Sequence, residues 1–489
     1  MTKRQLALYI AVSMKVLQSC RFGQLRKLLL IIVLAIYIRA SIGLFPYSGE
    51  HRPPRFGDYE AHRYWSAVTL HMRPVANWYT HPGDYWVIDY PPLSAYLAFA
   101  IGICARLLDF EGAVQADAYG YESESSRAFF RGTVLLVDLL FFFPAAYFAS
   151  GGDLNRFASL TLFQPCWILI DHAHFHYTCI QLGFILWMIA RYRTIKLTMI
   201  ATAVLFKQTS IYFLPVPAMD ALRQAWRRAF PDNDVLFSVL VALFILYPFK
   251  LDALLRRVFP FHRGVFEDKV ATFWCTISPL LRRTGLLRSR FLPPACGLMT
   301  LVAVIPFLMG SPGRCITESD RLRLCIRLTG CSLAFYLFSY HVHEKHILLP
   351  LLPLSLCAHE YPDIIIWATS TAVFSLLPLF LHEGSAMALV ALIIWTCLGR
   401  GRRPSVAWML LALPLGILLA VDGNPFRERY PYLLPYFVAI FCFLNFLMLL
   451  LWCYIEHAKL SGCSFTVEGA RNLLFRSLNF SRAPPQKLS

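Results

Sequence analysis

The chain has 489 residues, 57% of them hydrophobic and only 15% charged, and its mean hydropathy is +0.53. This balance excludes an ordinary soluble domain and describes a polytopic membrane protein. The net charge of +17 would suggest nucleic acid in a soluble chain. Here the cations sit in short loops between apolar runs, where Lys and Arg set topology, so no nucleic-acid partner is implied.

A bilayer core of ~30 Å takes about 20 helical residues per crossing, and the apolar sequence leaves room for roughly 11 to 14 transmembrane helices in an all-α fold. In chain order, Lys3, Arg4, Lys15, Arg21, Arg26 and Lys27 precede a hydrophobic run at 28–45. No small-residue cleavage site follows it, so the run is expected to remain as an anchor. The basic segment 1–27 then faces the cytosol and the loop at 46–92 the opposite, lumenal side. The tail at 457–489, with Lys459, Arg471, Arg476, Arg482 and Lys487, is basic and expected in the cytosol as well. An even number of crossings follows. The sequon Asn479-Phe480-Ser481 would stay unmodified there.

From Phe56 to Pro92 acids, histidines, aromatics and prolines crowd together with no apolar span among them. Asp58, Glu60 and His62 lie close in sequence, and Asp58 and His62 share one face if this stretch is helical. Asp89 precedes Tyr90-Pro91-Pro92, a rigid corner that fixes its direction. Tyr64, Trp65, Trp78, Tyr85 and Trp86 offer walls for a sugar. The plain alternative is that these acids solvate an exposed loop.

An apolar stretch at 93–108, short enough for a partial span or interfacial helix, leads to a polar insert at 109–131. Apolar runs follow at about 133–149, 157–170, 177–190 and 197–218. The last holds Lys207, Gln208, Pro215 and Pro217, and the basic loops on either side of it require it to enter and return as a broken helix. Between two of these runs stands Asp171-His172-Ala173-His174-Phe175-His176-Tyr177. So many polar groups at a span end are costly unless paired or wet, which points to a cavity.

Residues 235–249 lead to a second lumenal loop at 251–275. The run at 291–309, with Pro293, Pro294 and Pro306 between two basic segments, suggests another re-entrant pair. After a span near 328–340 comes His341-Val342-His343-Glu344-Lys345-His346. Imidazoles and an ammonium at a membrane boundary suit a lipid phosphate, although interfacial charge snorkelling from a helix end looks the same in sequence. The histidines lack the i,i+4 spacing of a helical zinc pair, so no metal is implied. Further runs occupy 347–358, 363–381, 386–399, 405–421 and 431–455, with a basic loop at 400–403 expected in the cytosol. Among the 14 cysteines there is no CxxC pair, and Cys104, Cys166, Cys179, Cys397, Cys442 and Cys453 read as small buried hydrophobes.

GDYEAHRYW with WVIDYPPLSAY, YESESSRAFFRGTVLLVDL, LIDHAHFHYT, FKQ, LFSYHVHEKHILLPLLP and above all FPFHRGVFEDKVATFWC, spread over 56–355, resemble the endoplasmic-reticulum glucosyltransferases that use dolichyl phosphate glucose. The FEDKVATFWC stretch looks like the branch that adds the first glucose to the lipid-linked high-mannose oligosaccharide. The second-glucose sibling is the nearest alternative, and a polytopic transporter a more distant one. A transporter would carry ionisable groups at mid-span, whereas the dense clusters here lie at span ends and in loops.

The resemblance implies a GT-C-type glycosyltransferase with a catalytic module over 28–358, C-terminal helices over 359–456, and partners comprising dolichyl phosphate glucose, a dolichyl-pyrophosphate-linked oligosaccharide and the lipid bilayer. It implies no cofactor. It assigns Asp58 as catalytic base, with His343 and Lys345 as candidates for the donor phosphate and Glu60, His62, Asp89, Glu267 and Asp268 for acceptor or loop positioning.

Overall fold

The computed structural model describes residues 3–54, 56–80, 85–227, 233–259, 264–265, 269–286, 290–310, 318–402, 404–420 and 429–461. Regular structure among them is helical. Three helices are each long and apolar enough to cross a bilayer: Glu124–Ala149 (26 residues), Pro362–Glu383 (22) and Leu433–Leu460 (28). Among the shorter apolar helices, Thr178–Ala190 packs on the Phe143–Ala149 part of the first and Ala386–Arg400 on Pro362–Glu383, while Pro92–Leu107 and Lys196–Phe206 pack on each other. The protein is a multi-pass helical membrane protein, all-α with several apolar helices as expected. Prolines, π turns and polar residues divide some of its apolar runs into shorter helices.

The first helix, Lys3–Ile42, runs 40 residues. Its apolar half is not uninterrupted, because Arg39 lies within it and is fully buried. Arg39 Nε donates to Asp138 Oδ2 at 2.6 Å and its Nη1 to the Thr161 carbonyl at 2.7 Å. Asp138 opens a π segment, Asp138–Phe142, inside the long helix Glu124–Ala149. One extra residue in the turn rotates the faces that follow. A second π segment, Leu169–Phe175, carries Asp171, His172 and His174. His172 Nε2 reaches Asp138 Oδ2 at 2.9 Å.

Helix Glu124–Val137 begins well before the apolar run at 133, because Ser123 caps it: the Ser123 hydroxyl accepts from the Ser126 N–H at 3.1 Å and satisfies a donor the helix start leaves open. The polar insert therefore ends at residue 123. The break expected at Lys207 is present. Helix Lys196–Phe206 stops there, a 3₁₀ turn spans Gln208–Phe213, and helix Pro215–Arg227 follows.

By contrast, 291–309 forms one helix, Leu292–Leu308. Pro293 and Pro294 sit in its first turn, where a missing N–H costs nothing, and Pro306 lies in its last. The sharp bend of the bundle is instead 97° between Asn233–Leu246 and Leu251–Val258. Cys166, Cys179, Cys442 and Cys453 are buried as expected, but Cys104 is exposed and Cys397 half-buried.

Helix Glu318–Phe338 packs against Leu292–Leu308, Leu348–Ser355 and Leu433–Leu460. Helix Pro362–Glu383 is buried along nearly its whole length, and Trp167, Tyr336 and Trp367 anchor the main core. The polar end of this core holds the site.

Candidate active site

The loop after the first helix turns into helix Gly57–His71. Gly57 has φ +72°, and a Cβ there would lie 2.7 Å from Ser48 atoms, so only glycine allows this approach. The approach sets the Asp58 N–H on the Ser48 hydroxyl at 3.2 Å. Asp58 and His62 are both on this helix, one turn apart. The Asp58 side chain is 31% exposed. Its Oδ2 accepts from Lys345 Nζ and from His174 Nε2 at 3.0 Å. No protein donor among the described residues reaches Oδ1.

His174 is 2% exposed in its side chain and bridges two carboxylates, because its Nδ1 lies 2.6 Å from Glu383 Oε1. Glu383 ends helix Pro362–Glu383. Its other oxygen, Oε2, is buried without a partner. The His174 carbonyl accepts from the Ser48 N–H at 3.0 Å, and Ser385 Oγ donates to the Pro46 carbonyl at 2.9 Å. Two distant parts of the chain are thereby tied to the Asp58 loop.

These contacts set the charges. Burial alone would raise the Asp58 carboxyl, but the Lys345 ammonium and the His174 hydrogen bond outweigh it and hold Asp58 well below the usual carboxylate range. Burial would lower His174, yet Glu383 and Asp58 push it up to about 9. Lys345 is raised above the ordinary lysine value, Asp58 and Glu344 overcoming its burial. Burial, reinforced by Lys345, pushes His343 down to about 3. His343 is a neutral ring, and Lys345 is occupied by Asp58.

The other candidates separate by burial. Glu60 is 1% exposed and is consumed internally. It receives Arg63 Nε at 2.6 Å and Nη2 at 2.7 Å, Tyr85 Oη at 3.0 Å and the Gly120 N–H at 2.8 Å. A carboxylate so enclosed fastens the loop. His62 is packed edge-on against Trp65 and His176, and burial pushes it down to about 3.

Asp89 stands apart from Asp58, on the wall of a neighbouring cavity of about 270 Å³ with Tyr90, Lys207, Arg257, His341 and His343. Its carbonyl faces the Gln208 amide at 3.5 Å. Glu267 and Asp268 lie outside the described residues. His174 and Glu383 carried no role in the sequence reading. The first belonged to a visible polar cluster, but the second is a lone acid at the end of an apolar run, and only the folded chain shows what it meets.

One group of metal-ligand type comes together among the described residues, namely Asp138, Asp171 and Cys179. Asp138 Oδ2 holds Arg39 and His172, and Asp171 accepts the N–H groups of Thr178 and Cys179 at 3.0 and 2.6 Å.

A carboxylate held by a lysine and a histidine at the polar mouth of an apolar helix bundle, beside a cavity with cationic and apolar walls, has the make-up of a membrane-embedded enzyme site. Within that class the chain belongs to the ALG6, ALG8 glycosyltransferase family, whose model matches residues 25–454.

It is similar to the dolichyl pyrophosphate Man9GlcNAc2 alpha-1,3-glucosyltransferase of Gallus gallus, with 33% identity over 381 residues, 72% of this chain and 74% of the relative. The enzyme of that name from Saccharomyces cerevisiae is 31% identical over 392 residues, 73% of this chain and 70% of the relative. A protein of Arabidopsis thaliana named as a probable enzyme of the same kind is 32% identical over 478 residues, 87% of this chain and 88% of the relative.

Proposed function

We propose that this glycosyltransferase is an inverting glucosyltransferase of the endoplasmic-reticulum membrane. It moves glucose from dolichyl phosphate glucose to a terminal mannose of Man9GlcNAc2 on dolichyl pyrophosphate and forms the α-1,3 linkage of the first glucose. The observation that carries the reading is Asp58, charged, partly exposed and with Oδ1 unengaged at the mouth of the bundle. The acceptor rests on the names of the relatives, which specify Man9GlcNAc2. The basic segments 1–27 and 457–489 lie in the cytosol, and the loops 46–92 and 251–275 in the lumen.

In the reaction the mannose 3-hydroxyl oxygen attacks the anomeric carbon of the β-linked glucose on the face opposite the phosphate. The bond from that carbon to the phosphate oxygen breaks, and dolichyl phosphate leaves with the electron pair. The hydroxyl proton passes to Asp58 Oδ1. A single displacement thus converts a β donor into an α product. The hydroxyl becomes acidic only as its oxygen bonds to carbon, so a carboxylate of low basicity suffices if it is in place and ionised, a contribution of ~10²- to 10⁴-fold. His174, pinned by Glu383, and Lys345 hold it there. The departing phosphate needs positive charge rather than an acid, and His343 and Lys345 bracket the place where it departs.

The test is glucose transfer by the purified protein from synthetic dolichyl phosphate glucose to lipid-linked Man9GlcNAc2 and, separately, to the same acceptor already carrying one glucose. Transfer to the unglucosylated acceptor with an α-1,3 product is expected. Transfer only to the glucosylated acceptor would replace the first-glucose assignment by the second, and no transfer from this donor to either would sink the reading.

A further inference from the structure

Helix Leu433–Leu460 runs beside Glu318–Phe338. Its end lies by the start of that neighbour, where Arg323 Nη2 donates to the Leu460 carbonyl at 2.5 Å. Its beginning therefore lies at the neighbour's other end. There Trp274 Nε1 donates to the Phe338 carbonyl at 2.7 Å, and the Val342 N–H to the Val265 carbonyl at 3.2 Å. Lys345, a few residues further along, holds Asp58. The start of Leu433–Leu460 is thus on the same face of the bundle as the candidate base.

A cavity of about 710 Å³ opens there, lined by Lys269, Arg282 and Arg429 together with Tyr430, Tyr432 and Tyr436. No acid is among its described lining residues. Lys269 Nζ stands 4.9 Å from the centre of the Tyr432 ring, and Tyr436 Oη donates to the Thr276 carbonyl at 2.5 Å, which fastens the two walls together. The helix begins without a side-chain cap, so its positive end adds to the field of the cations. Like charges gathered in one cleft draw in an anion.

Tyrosine and arginine also gather at membrane interfaces as anchors, but anchors lie against lipid and do not wall a cavity of this volume. The lipid side is supplied by Leu280 and Phe437, 62% and 47% exposed, next to the lining residues Pro279 and Tyr436. Cations inside and an apolar rim outside suit an anion that arrives on a lipid chain. A phosphodiester carries one negative charge and a pyrophosphate diester two, and three cations with no lining acid match the second better.

We propose that this cavity is the subsite for the pyrophosphate of the lipid-linked acceptor, with Lys269, Arg282 and Arg429 as the anion ligands. The tyrosines meet the sugars next to the pyrophosphate, and the apolar rim meets the dolichyl chain. The proposal rests on the glucosyltransferase reading and deepens it. The terminal mannose that meets Asp58 is separated from the pyrophosphate by the two GlcNAc units and the inner mannoses, so one substrate is held at two places on one face of the bundle.

Two measurements on the full-length protein in phosphatidylcholine nanodiscs test this. Arg282 and Arg429 are exposed, so replacing them leaves the core intact. In the transfer assay, the double variant Arg282→Gln, Arg429→Gln should raise KM for lipid-linked Man9GlcNAc2 about tenfold or more, the scale of a charge-assisted contact, with KM for dolichyl phosphate glucose unchanged. When an uncharged linker replaces the pyrophosphate between the same glycan and lipid, the wild type should already show the raised KM, and the double variant should add nothing to it. In thermal unfolding, chitobiosyl farnesyl pyrophosphate should stabilise the wild type and not the double variant, while farnesol and chitobiose should stabilise neither.

An acceptor KM within twofold of wild type, or an equal rise with the uncharged acceptor, would overturn the subsite. An effect of the substitutions seen only when the nanodiscs contain phosphatidylserine would overturn it too, and would make the cavity a phospholipid site. Stabilisation by chitobiosyl farnesyl pyrophosphate that needs Arg282 and Arg429, in a protein that transfers no glucose, would remove the glucosyltransferase reading and leave the subsite standing.

Discussion

Asp58 and Asp138 are built alike. Each uses Oδ2 to accept from one cation and one histidine, Lys345 and His174 in the first case, Arg39 and His172 in the second. They differ in the other oxygen. Asp138 is 0% exposed and its Oδ1 is sealed in the bundle without a partner, whereas the Asp58 side chain is 31% exposed. An aspartate, a cation and a histidine make a strut in one place and, in the proposed mechanism, the base in the other. What separates them is whether the second oxygen opens onto space that a substrate hydroxyl can enter.

The sharpest way to break the comparison is to neutralise each aspartate. Asp58→Asn should lower turnover by ~10²- to 10⁴-fold while the purified protein unfolds at nearly the wild-type temperature. Asp138→Asn should do the reverse. It strands the Arg39 guanidinium without its carboxylate at a cost of about 3–5 kcal/mol, seen as a loss of folded protein and a lowered unfolding temperature, with near-normal turnover per folded molecule. If both variants lose stability alike, or both lose turnover alike, the division fails.

A smaller effect is expected from the second carboxylate on His174. Glu383 and Asp58 hold that imidazole up to about 9 against an ordinary 6.5, so it is protonated in the folded state at neutral pH. A group raised on folding contributes stability that is full below 6.5 and lost as pH rises through about 9. Wild-type activity and stability should therefore decline together on the alkaline side near pH 9. Glu383→Gln should move that decline down by about one pH unit or more, with activity at neutral pH reduced only several-fold. An unmoved alkaline limb would show that Glu383 does not act through His174. The smallest effect is at the cap of helix Glu124–Val137, where Ser123→Ala should cost ~1 kcal/mol and leave turnover unchanged.

Much of this arrangement was legible in the residues. Charge before the first apolar run, the density of polar groups at 56–92, and the two histidine clusters at 171–177 and 341–346 single out the segments that meet at the site. Partner choice within a cluster was not legible. His172 and His174 are two residues apart, yet one joins Asp138 and the other Asp58. The π segment that sends them to different neighbours leaves no periodic signature. Arg39 was hidden because one cation among many apolar residues does not change a hydropathy average. The 97° bend after Leu246 was likewise hidden from a hydropathy average.

The contact between His174 and Glu383 bears on how the protein is made. Asp58 emerges from the ribosome early and Glu383 late, with Lys345 between them. During biogenesis the growing chain holds its proposed base and its imidazole for hundreds of residues of synthesis without the carboxylate that pins the imidazole. The site closes only when Pro362–Glu383 has been inserted and has docked. Until then a half-made chain presents no finished catalyst to the lipid carriers around it.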